Sequence, residues 1–204
     1  SSQEKIENSR NTETLSEPKL NSTIVSDSLK KIDIQNRLGA FATSSIYGTE
    51  GTTILENDVL LLKINNKGGQ IEEAIIKGFK TYDSLPLYMI KDQNANFNIN
   101  FGTTDNRILN TKELFFEPSY TKNGENQVLS MKLKVSDTQF LEYRYEMTDD
   151  YMVNFAMRSQ GLNSIINTST PIQLDWNLKG YRHEKSLRTE NTMYSYYYYK
   201  SEDE

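Results

Sequence analysis

The sequence predicts an all-β fold, an antiparallel β-sandwich of roughly eight to ten strands, and three observations predict it. From about Thr53 onward, apolar and polar residues alternate in several separate stretches, which marks strands with one buried face. In each stretch one face stays polar, as in antiparallel sheets; buried parallel strands would be apolar throughout. No helical pattern separates the runs, so the rhythm of a βαβ fold is missing.

The elements follow in order. Residues 1–26 begin SSQEKIENSRNTETLSEPKLN, too poor in large apolar residues to offset chain entropy, and read as a polar disordered linker. The stretch lacks the basic start, apolar middle and small-residue cleavage site of a secretory signal. Residues 27–50 read as a helix or an irregular arm: Ser28 is a capping residue, Leu29, Ile32, Leu38 and Phe41 are spaced only roughly as in a helix, and Gly39 weakens its end.

Residues 51–204 carry the strands. Leu60, Leu62 and Ile64 alternate with Leu61 and Lys63, and Phe97, Ile99 and Phe101 alternate with Asn96, Asn98 and Asn100. Leu129, Met131, Leu133 and Val135, then Leu141, Tyr143, Tyr145 and Met147, flank Asp137-Thr138 and read as a hairpin. Val153, Phe155 and Met157, and then Ile172, Leu174, Trp176 and Leu178, repeat the pattern. Asn65 to Gly69, NNKGG, supplies residues that tolerate positive φ between two apolar runs and reads as a turn rather than a phosphate loop, because neither GxGxxG nor GxxxxGK[ST] is present.

Composition narrows the function. The 204 residues include 23 Lys and Arg against 28 Asp and Glu, a formal charge of -5, with no basic stripe for a phosphate backbone, so nucleic acid is not expected as a partner. With a mean hydropathy of -0.69, no apolar run approaches the roughly 20 residues that cross a bilayer. The absence of cysteine excludes thiolate metal sites and cysteine nucleophiles.

Chemistry-bearing motifs are sparse. His183 is the only histidine, without HExxH spacing or a GxSxG serine, and reads as a surface or strand-edge residue. Asp149-Asp150 and the terminal Glu202, Asp203 and Glu204 lack the spacing of a calcium loop and read as a turn and a solvated end. No pair of carboxylates is singled out for glycoside hydrolysis. The sequence therefore calls for no catalytic residue, no metal and no cofactor. The most unusual feature is Tyr194 followed by Tyr196, Tyr197, Tyr198 and Tyr199. Tyrosine combines a broad apolar face with a hydroxyl that can stay wet, and only one alternate pair of a regular strand can face outward. Tyr196 and Tyr198, or else Tyr197 and Tyr199, are the candidate contacts for a partner or ligand.

Several segments, in order, resemble the periplasmic domain of the bacterial membrane protein insertase YidC, in its Bacteroidetes-like form. They are Arg37 to Ala42 (RLGAFA), Leu55 to Asp58 (LEND), Asn66 to Ile71 (NKGGQI), Phe79 to Asp83 (FKTYD) with Pro86-Leu87, Asp149 to Val153 (DDYMV), Leu174 to Asn177 (LDWN), Glu184 to Ser186 (EKS) and Glu190-Asn191. The resemblance covers roughly Arg37 to Glu204. It implies a β-supersandwich similar to galactose mutarotases and sugar-binding domains, extending past the position of Glu204, within a multi-pass protein of the inner membrane. It also implies a non-catalytic accessory domain at the periplasmic face of that membrane, a partner-binding or scaffolding platform for the Sec translocon or nascent membrane proteins. The mutarotase-type acid and base are not matched here, so that activity does not carry over. A carbohydrate-binding module is the alternative, and a plain spacer the third reading.

Overall fold

The alternating runs fold as eleven antiparallel strands in three sheets, preceded by helices; the computed structural model describes residues 20–186 and 188. Helix α1 spans Leu20–Leu38, so it begins inside the stretch read as a linker. It ends where Gly39, at a φ of +55°, takes the left-handed conformation that closes helices, and Arg107 Nε donates to the Asn36 carbonyl there at 3.0 Å. A short 3-10 turn and helix α2, Ala42–Ile46, follow. Phe41, fully buried, meets Phe101 edge-on at 5.4 Å and fastens this segment to the core.

One sheet has the order β1-β2-β3-β4, formed by Thr52–Glu56, Leu60–Asn65, Ile71–Lys80 and Pro86–Ile90. A second is β10-β9-β8-β7, formed by Val153–Gln160, Gln139–Met147, Asn126–Ser136 and Glu117–Asn123. The third is β11-β5-β6, formed by Gln173–Leu178, Ala95–Gly102 and Ile108–Asn110. The strands exceed the expected number because β4, β6 and β7 carry no clean alternation, and their pairing rather than their pattern makes them strands.

The expected hairpin is β8–β9. Leu129 faces Tyr145, Met131 faces Tyr143 and Leu133 faces Leu141 in register, and all six side chains are buried. The opposite face carries Ser130, Lys132, Glu142 and Arg144, with Ser130 Oγ donating to Glu142. Across the core, Ile99 and Phe101 of β5 and Leu109 of β6 present their apolar face.

The NNKGG turn lies inside this core. Gly68 and Gly69 hold φ of +83° and +62°, and a β-carbon on Gly69 would stand 3.0 Å from the Tyr143 ring and 3.1 Å from Phe116. Two glycines are needed here both for conformation and for room. Gly68 N–H donates to the Leu114 carbonyl at 2.8 Å, and Tyr145 Oη donates to the Gly69 carbonyl at 2.7 Å.

Candidate functional site

The sandwich is closed at one end and open at the other, and the open end forms the candidate site. Among the described residues, strand β10 pairs only with β9, and β11 only with β5, so each is the edge of its sheet. In register, Val153, Phe155 and Met157 point to the same side as Met147, Tyr145 and Tyr143. Leu174 and Trp176 point to the same side as Ile99 and Phe97. These inward faces approach each other with no further described strand between them, leaving an apolar groove of about 450 Å³.

Aromatic rings form its floor. Phe155 meets Phe97 edge-on at 5.3 Å and Tyr145 at 5.0 Å. Since the Tyr145 hydroxyl is committed to the Gly69 carbonyl, its ring is what the groove meets. The walls are Met157, Leu174 and Trp176, 46%, 55% and 68% exposed. Among the described residues no charged side chain lines the groove; Gln70 and Asn96 are its polar members, and Gln70 Oε1 accepts from the Phe97 N–H at 3.0 Å.

Burial pushes the Tyr143 hydroxyl up to about 12, and it pushes Tyr145 upward as well. The Thr111 hydroxyl near Tyr143 accepts from Ile99 N–H at 2.9 Å and donates toward Asn98 Oδ1 at 3.4 Å; it opposes the burial shift of Tyr143 only in part, and among the described residues no partner lies within hydrogen-bond geometry of the buried Tyr143 Oη. Both phenols stay neutral at physiological pH, so the groove offers a shape and an apolar surface. It can hold an apolar segment and, through the unpaired edges of β10 and β11, the backbone of an extended one.

Tyr196 and Tyr198, with Tyr197 and Tyr199, lie outside the described residues. His183 sits at the edge of β4, half-buried, its Nε2 at 2.8 Å from the Tyr88 carbonyl. Asp150 builds a turn: its Oδ1 accepts from Met152 N–H at 2.9 Å, and its carbonyl accepts from Asn57 Nδ2 at 2.7 Å. Asn57 also takes N–H bonds from Val59 and Leu60 on its Oδ1, at 3.0 and 2.7 Å. The LEND and DDYMV segments are thus two halves of one turn-to-turn clasp. Among the described residues, no three His, Asp or Glu side chains gather to hold a metal ion. The groove residues do not stand out as a site in the sequence because their alternation is the same as that of core strands. The one signal is Trp176, the only tryptophan.

A family model described as "YidC periplasmic domain" matches residues 53–202. The membrane protein insertase YidC of Porphyromonas gingivalis is 34% identical over 180 residues, covering 87% of this chain and 28% of that protein. Its counterpart in Parabacteroides distasonis is 34% identical over 167 residues, covering 81% and 26%, and that of Chlorobaculum parvum 26% identical over 147 residues, covering 68% and 25%. The chain therefore spans about a quarter of the length of the curated relatives it matches. No solved structure matches it.

Proposed function

The chain belongs to the YidC periplasmic domain family, and from that premise we propose that it is a non-catalytic accessory domain of a membrane protein insertase. It serves as a platform that holds an apolar, extended segment of a Sec translocon subunit or of a nascent membrane protein at the periplasmic face of the inner membrane. The observation that carries this reading is the groove between β10 and β11: apolar, uncharged among the described residues and flanked by two strand edges. Such a surface gains by burying apolar side chains and by adding a strand, and it needs no covalent step.

The sugar-binding alternative fits the groove less well. A sugar is held by a network of polar partners beside an aromatic face, and among the described residues the polar side chains lining this groove are Gln70 and Asn96, with Gln70 already bonded.

The test places a photo-crosslinking residue at position 174, which faces the groove, or at position 175, on the opposite face of β11, in the full-length protein in its own membranes. Adducts to translocon subunits or nascent membrane proteins from 174 and not from 175 are expected. Adducts confined to the same polypeptide would mean that the groove is closed by the protein's own strands and would overturn the platform reading. Adducts to glycan would replace it with the sugar-binding one.

A further inference from the structure

A second exposed apolar cluster lies away from the groove, at the tip of the β3–β4 hairpin. Strand β3 pairs with β4 through a first register shift between Ala74 and Ile75, then at Ile75 opposite Tyr88 and Ile76 opposite Leu87, and the next pair is Lys80 opposite Pro86. Lys77, Gly78 and Phe79 therefore bulge, with Gly78 at a φ of +78° and nothing within 4 Å of the place a β-carbon would take. The bulge turns Phe79 outward, 58% exposed, beside Tyr82 and Leu85, each 56% exposed.

This tip is fixed in place. At its base, Lys77 N–H donates to the Val59 carbonyl and Lys77 Nζ to the Asn57 carbonyl, at 2.8 and 2.6 Å. At its end, Thr81 N–H donates to the Leu85 carbonyl at 2.9 Å, Leu85 N–H donates to Thr81 Oγ1 at 3.2 Å, and Thr81 Oγ1 donates to Asp83. Along its side, Tyr82 N–H donates to the His183 carbonyl at 3.3 Å. Three apolar side chains are thus held out in water by a loop whose polar groups are already paired. That loop would lose little conformational freedom on burial.

Among the described residues, the tip and the segment beside it expose Lys80, Arg182 and Lys185 against Asp83 and Glu184, Lys77 at the base is paired with Glu56, and the Arg182 guanidinium stands 6.0 Å over the Tyr82 ring. Aromatic and aliphatic side chains flanked by long cations match a membrane interface, where rings settle at headgroup level and cations reach the phosphates. A domain at the periplasmic face of the inner membrane meets that surface at high effective concentration.

We propose that the β3–β4 hairpin tip, through Phe79, Tyr82 and Leu85, docks this domain on the surface of a bilayer containing anionic phospholipid. The inference uses the family's place beside the membrane. It is independent of what the β10–β11 groove holds.

The experiment moves the single tryptophan to the tip: the chain carrying Tyr82→Trp and Trp176→Phe is mixed with vesicles of phosphatidylcholine and phosphatidylglycerol, and with vesicles of phosphatidylcholine alone. With the anionic vesicles, the emission of the tryptophan at position 82 is expected to shift to the blue and the protein to float with the lipid, less so with the neutral vesicles or in high salt. Adding Phe79→Ser and Leu85→Ser is expected to weaken flotation about tenfold or more, while the circular dichroism spectrum stays unchanged because both side chains are exposed. In the parent chain the emission of Trp176 is expected to stay where it is. An unshifted emission from position 82 with both vesicles would overturn the proposal. So would flotation that survives the two serine substitutions together with a blue-shifted Trp176 in the parent chain, which would assign lipid binding to the groove.

Discussion

The two ends of the sandwich are built from strands of the same alternating pattern, β8 and β9 at one and β10 and β11 at the other, yet they differ in what covers them. At the closed end, Leu129, Met131, Leu133 and Tyr143 are fully buried between β8, β9, the NNKGG turn and the helical segment. At the open end, Phe155, Met157, Leu174 and Trp176 occupy equivalent inward positions in strands β10 and β11 and stay 41% to 68% exposed. An inward-facing register position is therefore not the same as a buried one. Burial needs a neighbour on the far side of the side chain as well as a strand that points it inward.

Truncation of a side chain at each end should separate the two most clearly. Met131→Ala is expected to cost about 2–5 kcal/mol, the range for buried large-to-small changes, and Trp176→Ala about 1 kcal/mol or less, because Trp176 keeps most of its surface in water. Urea denaturation of both variants measures the difference. Equal losses would mean that the open end is covered in solution and would break the comparison.

Alkali should attack the core through its two buried phenols, Tyr143 and Tyr145, whose hydroxyls burial pushes up. The Tyr143 hydroxyl ionises near 10 in the unfolded chain and about 12 in the folded one. A group whose folded value is raised contributes fully below the unfolded value and loses that contribution as the pH rises through the folded one. A shift of this size corresponds to roughly 3 kcal/mol, lost between about pH 10 and 12. Tyr143→Phe is expected to flatten this part of the stability-versus-pH curve while leaving neutral-pH stability equal or slightly higher, since the hydroxyl it removes is buried without a hydrogen bond. An unchanged alkaline slope would show that Tyr143 is hydrated in the folded state.

A smaller effect than at Met131 or Tyr143 is expected at the clasp. Asn57→Ala removes two bonds to the β1–β2 turn and two to the turn after β9, and the loss should be about 2 kcal/mol, as for other capping side chains. Amide exchange should speed up at Val59, Leu60 and Met152 together. Faster exchange confined to Val59 and Leu60 would mean that the two turns are not coupled.

How much of this was legible in the sequence differs from one element to the next. The β8–β9 hairpin was readable because Leu129, Met131 and Leu133, and then Leu141, Tyr143, Tyr145 and Met147, are all buried at a spacing of two on either side of the turn. Strand β4 was not, because Pro86 to Ile90 pairs through a bulge and has no alternation of its own. The NNKGG turn was visible as a turn, but its position against Tyr143 and Phe116 depends on residues about 50 to 75 positions away. The LEND and DDYMV segments could be recognised as a family resemblance, and the bonds of Asn57 give that resemblance a physical cause.

By itself the sequence determined the all-β class and the inward face of each alternating strand, because side-chain period and residue type are local properties. Tertiary structure alone decided that Tyr143 and Trp176, equally inward in their strands, end up in a packed core and in an open groove, and that Phe79, Tyr82 and Leu85 share one tip. Those outcomes depend on which strands lie beside which, and strand order is set by pairings between residues distant in the chain, which a period of two does not encode.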